Sequence, residues 1–135
     1  MTQPEVRAKL TLDATVSPSE DPEKVLRAMK NVVGESECET STDSHSARLV
    51  TEDPRALAHV RDQLRDRHVR SAARKQMLLK SSGRSTSLIL NRQAAAASVV
   101  ALCGSPDESP LGPVNLVIES ERIEAVMDWL TAYAG

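Results

Sequence analysis

The sequence predicts an α+β fold in which helices pack on one face of a mainly antiparallel sheet. Apolar and polar residues alternate without a break from Val6 to Val16, the pattern of a half-buried strand. Apolar residues recur at helical spacing after each of two Asp-Pro pairs, Asp21-Pro22 and Asp53-Pro54. Short strand-like segments follow in the second half of the chain. At this length we expect one domain, residues 1–135.

The first helix is expected directly after the first strand. Segment Ser17–Glu23 predicts a turn and a helix start, with Asp21-Pro22 as the N-cap and the first helical residue. The apolar stripe of this helix ends at Gly34, and glycine is the residue type that most often closes a helix. The polar segment from Glu35 to Glu52 predicts a hairpin with its turn near residues 42–46.

A basic helical region follows the hairpin. Asp53-Pro54 predicts its start, and its first part has a buried stripe of Leu57, Val60 and Leu64. Its second part is expected to direct four residues inward, namely Val69, Ala72, Ala73 and Met77. The basic side chains of the two parts would point in different directions on one straight helix. We therefore expect a bend between Asp66 and His68.

Three strands and a closing helix are predicted after Ser81-Ser82-Gly83, which ends the basic helix. Alternation from Thr86 to Leu90 predicts one strand, and the run of small apolar residues from Ala94 to Cys103 predicts another. A proline- and glycine-rich loop, 104–113, leads to a last strand at 114–118. The closing helix has an apolar face of Ile123, Val126, Met127 and Leu130. The predicted order is β-α-β-β-α-β-β-β-α.

Positive charge is concentrated between Arg55 and Arg92. This segment holds ten of the 17 Lys and Arg residues and only two acidic residues, Asp62 and Asp66, although the formal net charge of the chain is −2. Eight of the ten are Arg, whose planar guanidinium matches phosphate oxygens. A basic block within an acidic chain favours a surface that faces a polyanion. The alternative is a solvated helix face that the acidic remainder neutralises.

RNA is the polyanion that we expect this surface to bind. The phosphate contacts are assigned to Arg61, Arg65, Arg67, Arg70, Arg74, Lys75, Lys80, Arg84 and Arg92. Asn91 and Gln93, at a predicted strand break, are candidate specificity groups for base edges or 2′-hydroxyls. Phe is absent and the aromatic residues are Trp129 and Tyr133. Structured or duplex RNA, recognised by shape and backbone, is therefore favoured over unstacked single strands.

Sequence signatures of catalysis, metal binding and membrane insertion are absent. The chain has no G-x-S-x-G, phosphate-binding glycine loop or H-E-x-x-H, and its Cys and His residues lack ligand spacing. We therefore expect no enzyme activity, no cofactor and no metal. The longest apolar run, Ala94 to Cys103, falls short of the ~18–20 residues that cross a membrane. Two separated cysteines and no signal peptide predict a reduced, cytoplasmic protein.

Three separated stretches resemble one protein family. They are Ser19–Val25, Leu90–Ala95 and Glu108–Pro113, and the helical run Val69–Leu79 accompanies them. Together they are similar to small archaeal proteins of an uncharacterised family described as having an RNA-binding domain. The fold of that family is similar to that of large-subunit ribosomal protein five. The resemblance spans Val6 to Leu130 and implies the α+β fold and RNA as the ligand. It supplies neither a reaction nor an agreed set of binding residues.

The sequence thus predicts a non-catalytic RNA-binding protein that contacts phosphates through a basic helix–strand surface. A second class stays open, a small regulatory or assembly module whose basic surface binds an acidic partner protein or an anionic metabolite. Edge-strand pairing could then form a homodimer. An enzyme with a site assembled across a dimer has the least support. The loop Glu108–Pro113 is expected to fix the entry of the last strand, with a ligand contact near Arg92 as the alternative.

Overall fold

The computed structural model describes residues 7–66, 68–104 and 112–131, apart from the side chain of Asp66. Within these ranges the chain forms five strands and five helices. In chain order they are β1 (Lys9–Thr15), α1 (Pro22–Val33), β2 (Glu39–Thr42), β3 (Ser46–Thr51), α2 (Pro54–Asp66), α3 (Arg70–Lys80), β4 (Ser85–Leu90), α4 (Arg92–Ala96), β5 (Val114–Glu119) and α5 (Ile123–Thr131).

The strands form one antiparallel sheet in the order β2-β3-β1-β5-β4. In the central strand β1, Leu12 lies opposite Leu49 of β3 and Leu116 of β5, and all three side chains are fully buried. Every second residue of β1 is buried, while Lys9 and Thr15 are exposed. This period of two directs one face of the sheet toward the helices. The α+β class with an antiparallel sheet is therefore confirmed.

Aliphatic side chains from both layers form the hydrophobic core. Met29, Leu64, Met77 and Leu130 come from four different helices, and each is 0% exposed. The predicted buried stripes of α2 and α5 are confirmed. In α3 only Ala73 and Met77 are buried, whereas Ala72 is exposed and Val69 half-buried. The expectation for Ala72 was wrong because α3 packs against β4 and α5 through a narrow stripe.

The predicted bend in the basic region separates two helices. α2 ends at Asp66 and α3 begins at Arg70. Between them, His68 has a φ of 55°, in the left-handed region that few residues other than glycine adopt. The amide of His68 donates to the carbonyl of Arg65, and the amide of Val69 donates to that of Leu64. These two bonds satisfy carbonyls at the end of α2, so the bend closes one helix before the next begins.

The predicted helix starts and the hairpin also occur. The Asp21 carboxylate accepts a hydrogen bond of 3.0 Å from the amide of Glu23, and Pro22 begins α1. Strands β2 and β3 form a hairpin across residues 43–45. In that turn, backbone hydrogen bonds from His45 and Ser46 hold the pKa of the Asp43 carboxyl below its usual range.

The strand expected at Ala94–Cys103 is wrong. Residues Arg92–Ala96 form the short helix α4, and an isolated bridge joins Leu102 to Leu90. Asn91 caps α4 by accepting a hydrogen bond of 2.9 Å from the amide of Ala94. Alanine has the highest helix propensity, so a capped run of alanines starts a helix although its apolar character resembles a buried strand.

The outer edge of β4 is covered by side-chain and backbone partners. The amide of Ile89 donates to Oε1 of Gln76 at 2.6 Å, and the carbonyl of Ile89 accepts from the amide of Cys103 at 2.8 Å. Nε2 of Gln76 donates to the carbonyl of Cys103 at 2.9 Å. An edge protected in this way is poorly suited to pairing with another chain.

Candidate functional site

Four arginines lie on α2 and α3 around the break between these two helices. Arg61 and Arg65 are in the final turns of α2, and Arg70 and Arg74 are in the first turns of α3. Both helices pack against α5. We call Arg61, Arg65, Arg70 and Arg74 the junction cluster. The break between α2 and α3 creates this cluster because it brings the end of one basic helix next to the start of the other.

Helix α5 holds one arginine from each of the two helices. Cζ of Arg61 lies 4.6 Å from the centroid of the Trp129 ring, a cation–π contact. Nη1 of Arg74 donates to Oδ1 of Asp128 at 2.7 Å. Asp128 and Trp129 are consecutive residues whose side chains point about 100° apart, so α5 orients one guanidinium group from each of the two basic helices.

The ion pairs of the cluster lie at the surface, with Asp128 exposed and Asp62 half-buried. The side chain of Arg74 is 44% exposed and that of Asp128 is 66% exposed. Arg65 lies 3.4 Å from Asp62, one helical turn away, and its side chain is 46% exposed. Exposed ion pairs of this kind contribute only about 0–1 kcal/mol each. An incoming anion could therefore replace these carboxylates at little cost.

The remaining basic residues of α3 and the following turn are exposed. Lys75 lies on the outer face of α3, Lys80 is its last residue, and Arg84 precedes β4. Because a helix rises 1.5 Å per residue, Lys80 lies about 15 Å along α3 from Arg70. These side chains extend the positive charge away from the junction cluster. Arg67 lies outside the described residues.

Arg92 does not lie on the surface. It is 4% exposed, and its Nη1 donates to Oε1 of Glu20 at 2.6 Å. Its Nη2 donates to the carbonyl of Pro113 at 3.2 Å. The interpretation of Arg92 as a phosphate contact is therefore corrected, because a guanidinium enclosed by protein partners cannot reach a phosphate backbone.

Asn91 and Gln93, the candidate specificity groups on either side of Arg92, differ in whether their side chains are available to a ligand. The side-chain oxygen of Asn91 caps α4, so this oxygen serves the fold rather than a ligand. Gln93, in the first turn of α4, is exposed. It lies on the rim of a groove between α1 and α4, which Lys24 also lines. Gln93 is the one of these two residues that keeps its side chain available.

Glu20 is the partner of Arg92 that the sequence did not reveal. Burial acts to raise the pKa of the Glu20 carboxyl, but hydrogen bonds from Arg92 and from the amide of Ser17 outweigh burial. The pKa therefore lies below its ordinary value, and the carboxylate is ionised at neutral pH. Glu20 lies in the family-like stretch Ser19–Val25, and the family resemblance could have marked it. Nothing in that stretch indicates which cation the Glu20 carboxylate contacts.

The three family-like stretches meet at the Arg92 guanidinium. Glu20 comes from the first stretch, Arg92 from the second and Pro113 from the third. Gly112 lies so close that a Cβ on it would be 3.4 Å from Nη2 of Arg92, and its φ is 95°. The loop residues 105–111 lie outside the described part of the chain. One buried ion pair thus ties together the starts of α1, α4 and β5.

Among the described residues, no group of three or more His, Cys, Asp and Glu side chains is arranged to hold a metal ion. No helix in this part of the chain is long and apolar enough to cross a membrane.

Known proteins with similar sequences share one family name. No protein-family model matches the chain. A UPF0201 protein of Sulfurisphaera tokodaii is 33% identical over 125 residues, which cover 91% of this chain and 86% of that protein. A UPF0201 protein of Aeropyrum pernix is 33% identical over 127 residues, covering 92% and 85%. The chain belongs to the UPF0201 family. The expected resemblance to an uncharacterised archaeal family is confirmed at this level.

Solved UPF0201 structures have the same fold. The UPF0201 protein from Methanococcus jannaschii superposes with a TM-score of 0.76 at 19% identity, covering 94% of this chain and 95% of that one. A second, uncharacterised UPF0201 protein gives a TM-score of 0.75 at 22% identity, covering 93% and 94%. At these identities the likeness establishes the UPF0201 fold and leaves the function to be argued from the site.

Proposed function

We propose that this UPF0201 protein is a non-catalytic RNA-binding protein of the cytoplasm, and that it contacts phosphates through the junction cluster and the exposed cations of α3. The observation that carries the proposal is the placement of four arginines around the break between α2 and α3, where Arg61 and Arg74 contact the last turns of α5. The sequence resemblance to a family described as RNA-binding, with a fold like that of large-subunit ribosomal protein five, supports the same assignment.

The chemistry of the cluster favours a phosphate backbone over a single small anion. Arg61 and Arg74 contact consecutive residues of α5, whose side chains point about 100° apart around the helix, so the two guanidinium groups have separate contact points. Lys75 and Lys80 continue the positive charge along α3. An extended row of cations matches a polymer of phosphates better than it matches one metabolite.

Structured RNA is the favoured form of the ligand. Among the described residues, Trp129 is the one aromatic side chain, and Arg61 already stacks on its ring. Proteins that bind unpaired strands usually stack several bases on exposed aromatic rings. A surface of arginines without free rings is better suited to the phosphates and 2′-hydroxyls of a helical RNA.

Titration of an RNA duplex at several salt concentrations tests this proposal. If four to six phosphates are contacted, the logarithm of the affinity should fall against that of the salt concentration with a slope of about −3 to −5. The variant Arg70→Glu/Arg74→Glu should bind more weakly and reduce the slope by about 2, since each lost phosphate contact removes about 1. Thermal unfolding of the variant establishes that it is folded.

Two further variants complete this experiment. Asp128→Asn removes the exposed carboxylate that competes for Arg74 and should tighten RNA binding about two- to fivefold. Arg27→Glu/Lys30→Glu makes the same change in net charge on the exposed face of α1, and should leave the slope unchanged. Equal effects of the two double variants would exclude the junction cluster as the binding surface. Absence of binding at low salt would instead favour the regulatory or assembly module.

A further inference from the structure

The face of the sheet opposite the helices carries a polar row at one level. Asp13 of β1 lies directly opposite Arg48 of β3 and Asn115 of β5. Neighbouring strands are about 4.8 Å apart, so the three side chains stand side by side on one face. The row continues to Ser41 of β2, which lies opposite Arg48. A cation, a carboxylate and an amide are therefore presented in that order across the sheet.

These side chains are not used by the fold. Within the described part of the chain, neither Asp13, Arg48 nor Asn115 makes a side-chain hydrogen bond or an ion pair. Asp13 and Asn115 are half-buried and Arg48 is exposed. Asp13 and Arg48 are neighbours of opposite charge, yet they do not form a salt bridge. Their hydrogen-bonding groups are left for a ligand.

A cavity of about 470 Å³ lies over this row. Its walls include Thr15, Ser46 and Pro113 in addition to the row itself. Small-molecule sites in proteins usually measure about 300–1,000 Å³ and carry a few convergent polar groups. A hydrogen bond fixes the position of Pro113, because its carbonyl accepts from Nη2 of the buried Arg92 at 3.2 Å. The cavity is therefore built partly on the rigid ion pair at which the three family-like stretches meet.

We propose that this cavity binds a guanine base, as a second ligand site on the other side of the sheet from the junction cluster. The Watson–Crick edge of guanine presents an acceptor at O6 followed by donors at N1 and N2, with the N3 acceptor beyond them. The row presents the complementary order. The Arg48 guanidinium donates to O6, the Asp13 carboxylate accepts from N1–H and N2–H, and the Asn115 amide donates to N3. The wall at Pro113 contacts the face of the base.

The other purine fits this row poorly. Adenine has one donor, its 6-amino group, beside an acceptor at N1 that would face the Asp13 carboxylate. Hypoxanthine keeps N1–H and O6 but lacks the 2-amino group, so it makes one fewer hydrogen bond to Asp13. Hydrogen bonds to a charged group change affinity by about tenfold or more, and in a half-exposed cavity we take about tenfold as the expected difference.

Calorimetric titration with four free nucleotides tests the assignment. GMP should bind wild-type protein about tenfold more tightly than IMP or AMP. Asp13→Asn should lose GMP affinity and gain affinity for XMP, because xanthine has a carbonyl at C2 to which the new amide can donate. A merely structural role of Asp13 would not reverse this preference. Glu23→Gln removes an exposed carboxylate from the first turn of α1 and should leave all four affinities unchanged.

A second experiment with RNA distinguishes a guanine within RNA from a free nucleotide as the ligand. It also separates the guanine site from RNA binding by the junction cluster. A hairpin with one unpaired guanine should bind more tightly than the same hairpin with adenine at that position, and Asp13→Asn should abolish the difference. GMP binding with the Asp13→Asn reversal but no RNA binding would support the cavity and overturn the proposed function. Salt-dependent RNA binding without a preference for guanine in either experiment would overturn the cavity proposal and leave the junction cluster intact.

Discussion

Replacing Glu20 with alanine is expected to lower the free energy of unfolding by about 3–5 kcal/mol, a large part of a small domain's stability. The reason is the enclosed position of Arg92, which is 4% exposed and donates to Oε1 of Glu20 at 2.6 Å in a buried ion pair. Removing the carboxylate leaves a guanidinium in a site that water reaches poorly. Urea unfolding of wild type and variant at neutral pH measures the difference.

Two variants separate the charge from the packing at this site. Glu23→Ala removes an exposed acid from the first turn of α1, which follows Glu20, and should cost only a few tenths of a kcal/mol. Glu20→Leu/Arg92→Met removes both charges and should be more stable than Glu20→Ala, since apolar groups of similar volume replace buried pairs at little cost. A loss below about 1 kcal/mol for Glu20→Ala would contradict the structural role of the pair.

The same pair predicts a pH dependence of stability. The folded-state pKa of Glu20 lies below its ordinary value of 4.5, because hydrogen bonds from Arg92 and Ser17 outweigh the effect of burial. A depressed carboxyl pKa contributes stability that is fully present above the unfolded value and is lost as pH falls through the folded value. The stability difference between wild type and Glu20→Gln should therefore be constant above pH 4.5 and shrink below it. A difference that stays constant in acid would contradict this assignment.

Replacing Gly34 with alanine should destabilise the protein by about 2–4 kcal/mol. Gly34 ends α1 with φ 68° and ψ −147°, a combination that only glycine adopts without strain. A Cβ at this position would also lie 2.9 Å from Cγ and Nδ1 of His59. The His59 ring cannot move away freely, because its Nε2 is hydrogen-bonded to the carbonyl of Asn31 at 3.1 Å. Backbone strain and a steric clash therefore add at one residue.

Gly83→Ala is the matched control for this prediction. Gly83 has φ 60°, but a Cβ there would meet nothing within 4 Å, so only the conformational cost of about 1 kcal/mol remains. In the double variant Gly34→Ala/His59→Ala, the steric part should disappear and the two substitutions should not be additive. The proposed clash would be refuted if Gly34→Ala cost no more than Gly83→Ala in chemical unfolding.

The local features of this fold could be predicted because each depends on residues that are neighbours in the sequence. The alternation along β1 reports a half-buried strand, and Asp21-Pro22 specifies a helix start through a cap and a fixed φ. The bend after Asp66 followed from two basic stripes that one straight helix could not present together. Each of these requires only the geometry of a few consecutive residues.

Composition did not predict the secondary structure of the alanine run or the burial of Arg92 in the basic segment. Ala94–Ala97 has the apolar character of a buried strand, and its state depended on the cap supplied by Asn91. Arg92 has the same charge as its exposed neighbours, and sequence offers no measure of how deeply one arginine is enclosed. Its burial depends on Glu20, which is 72 positions away.

The junction cluster and the polar row on the sheet also differ in how far the sequence predicts them. The junction cluster could be anticipated from the charge of one continuous segment, since α2 and α3 are adjacent in the chain. The row Arg48–Asp13–Asn115 could not, because its members belong to three strands that are far apart in sequence and are aligned only by the register of the sheet. A pattern within one segment reflects local backbone geometry. Contacts between segments depend on how the hydrophobic faces pack together, which no single stretch of the chain contains.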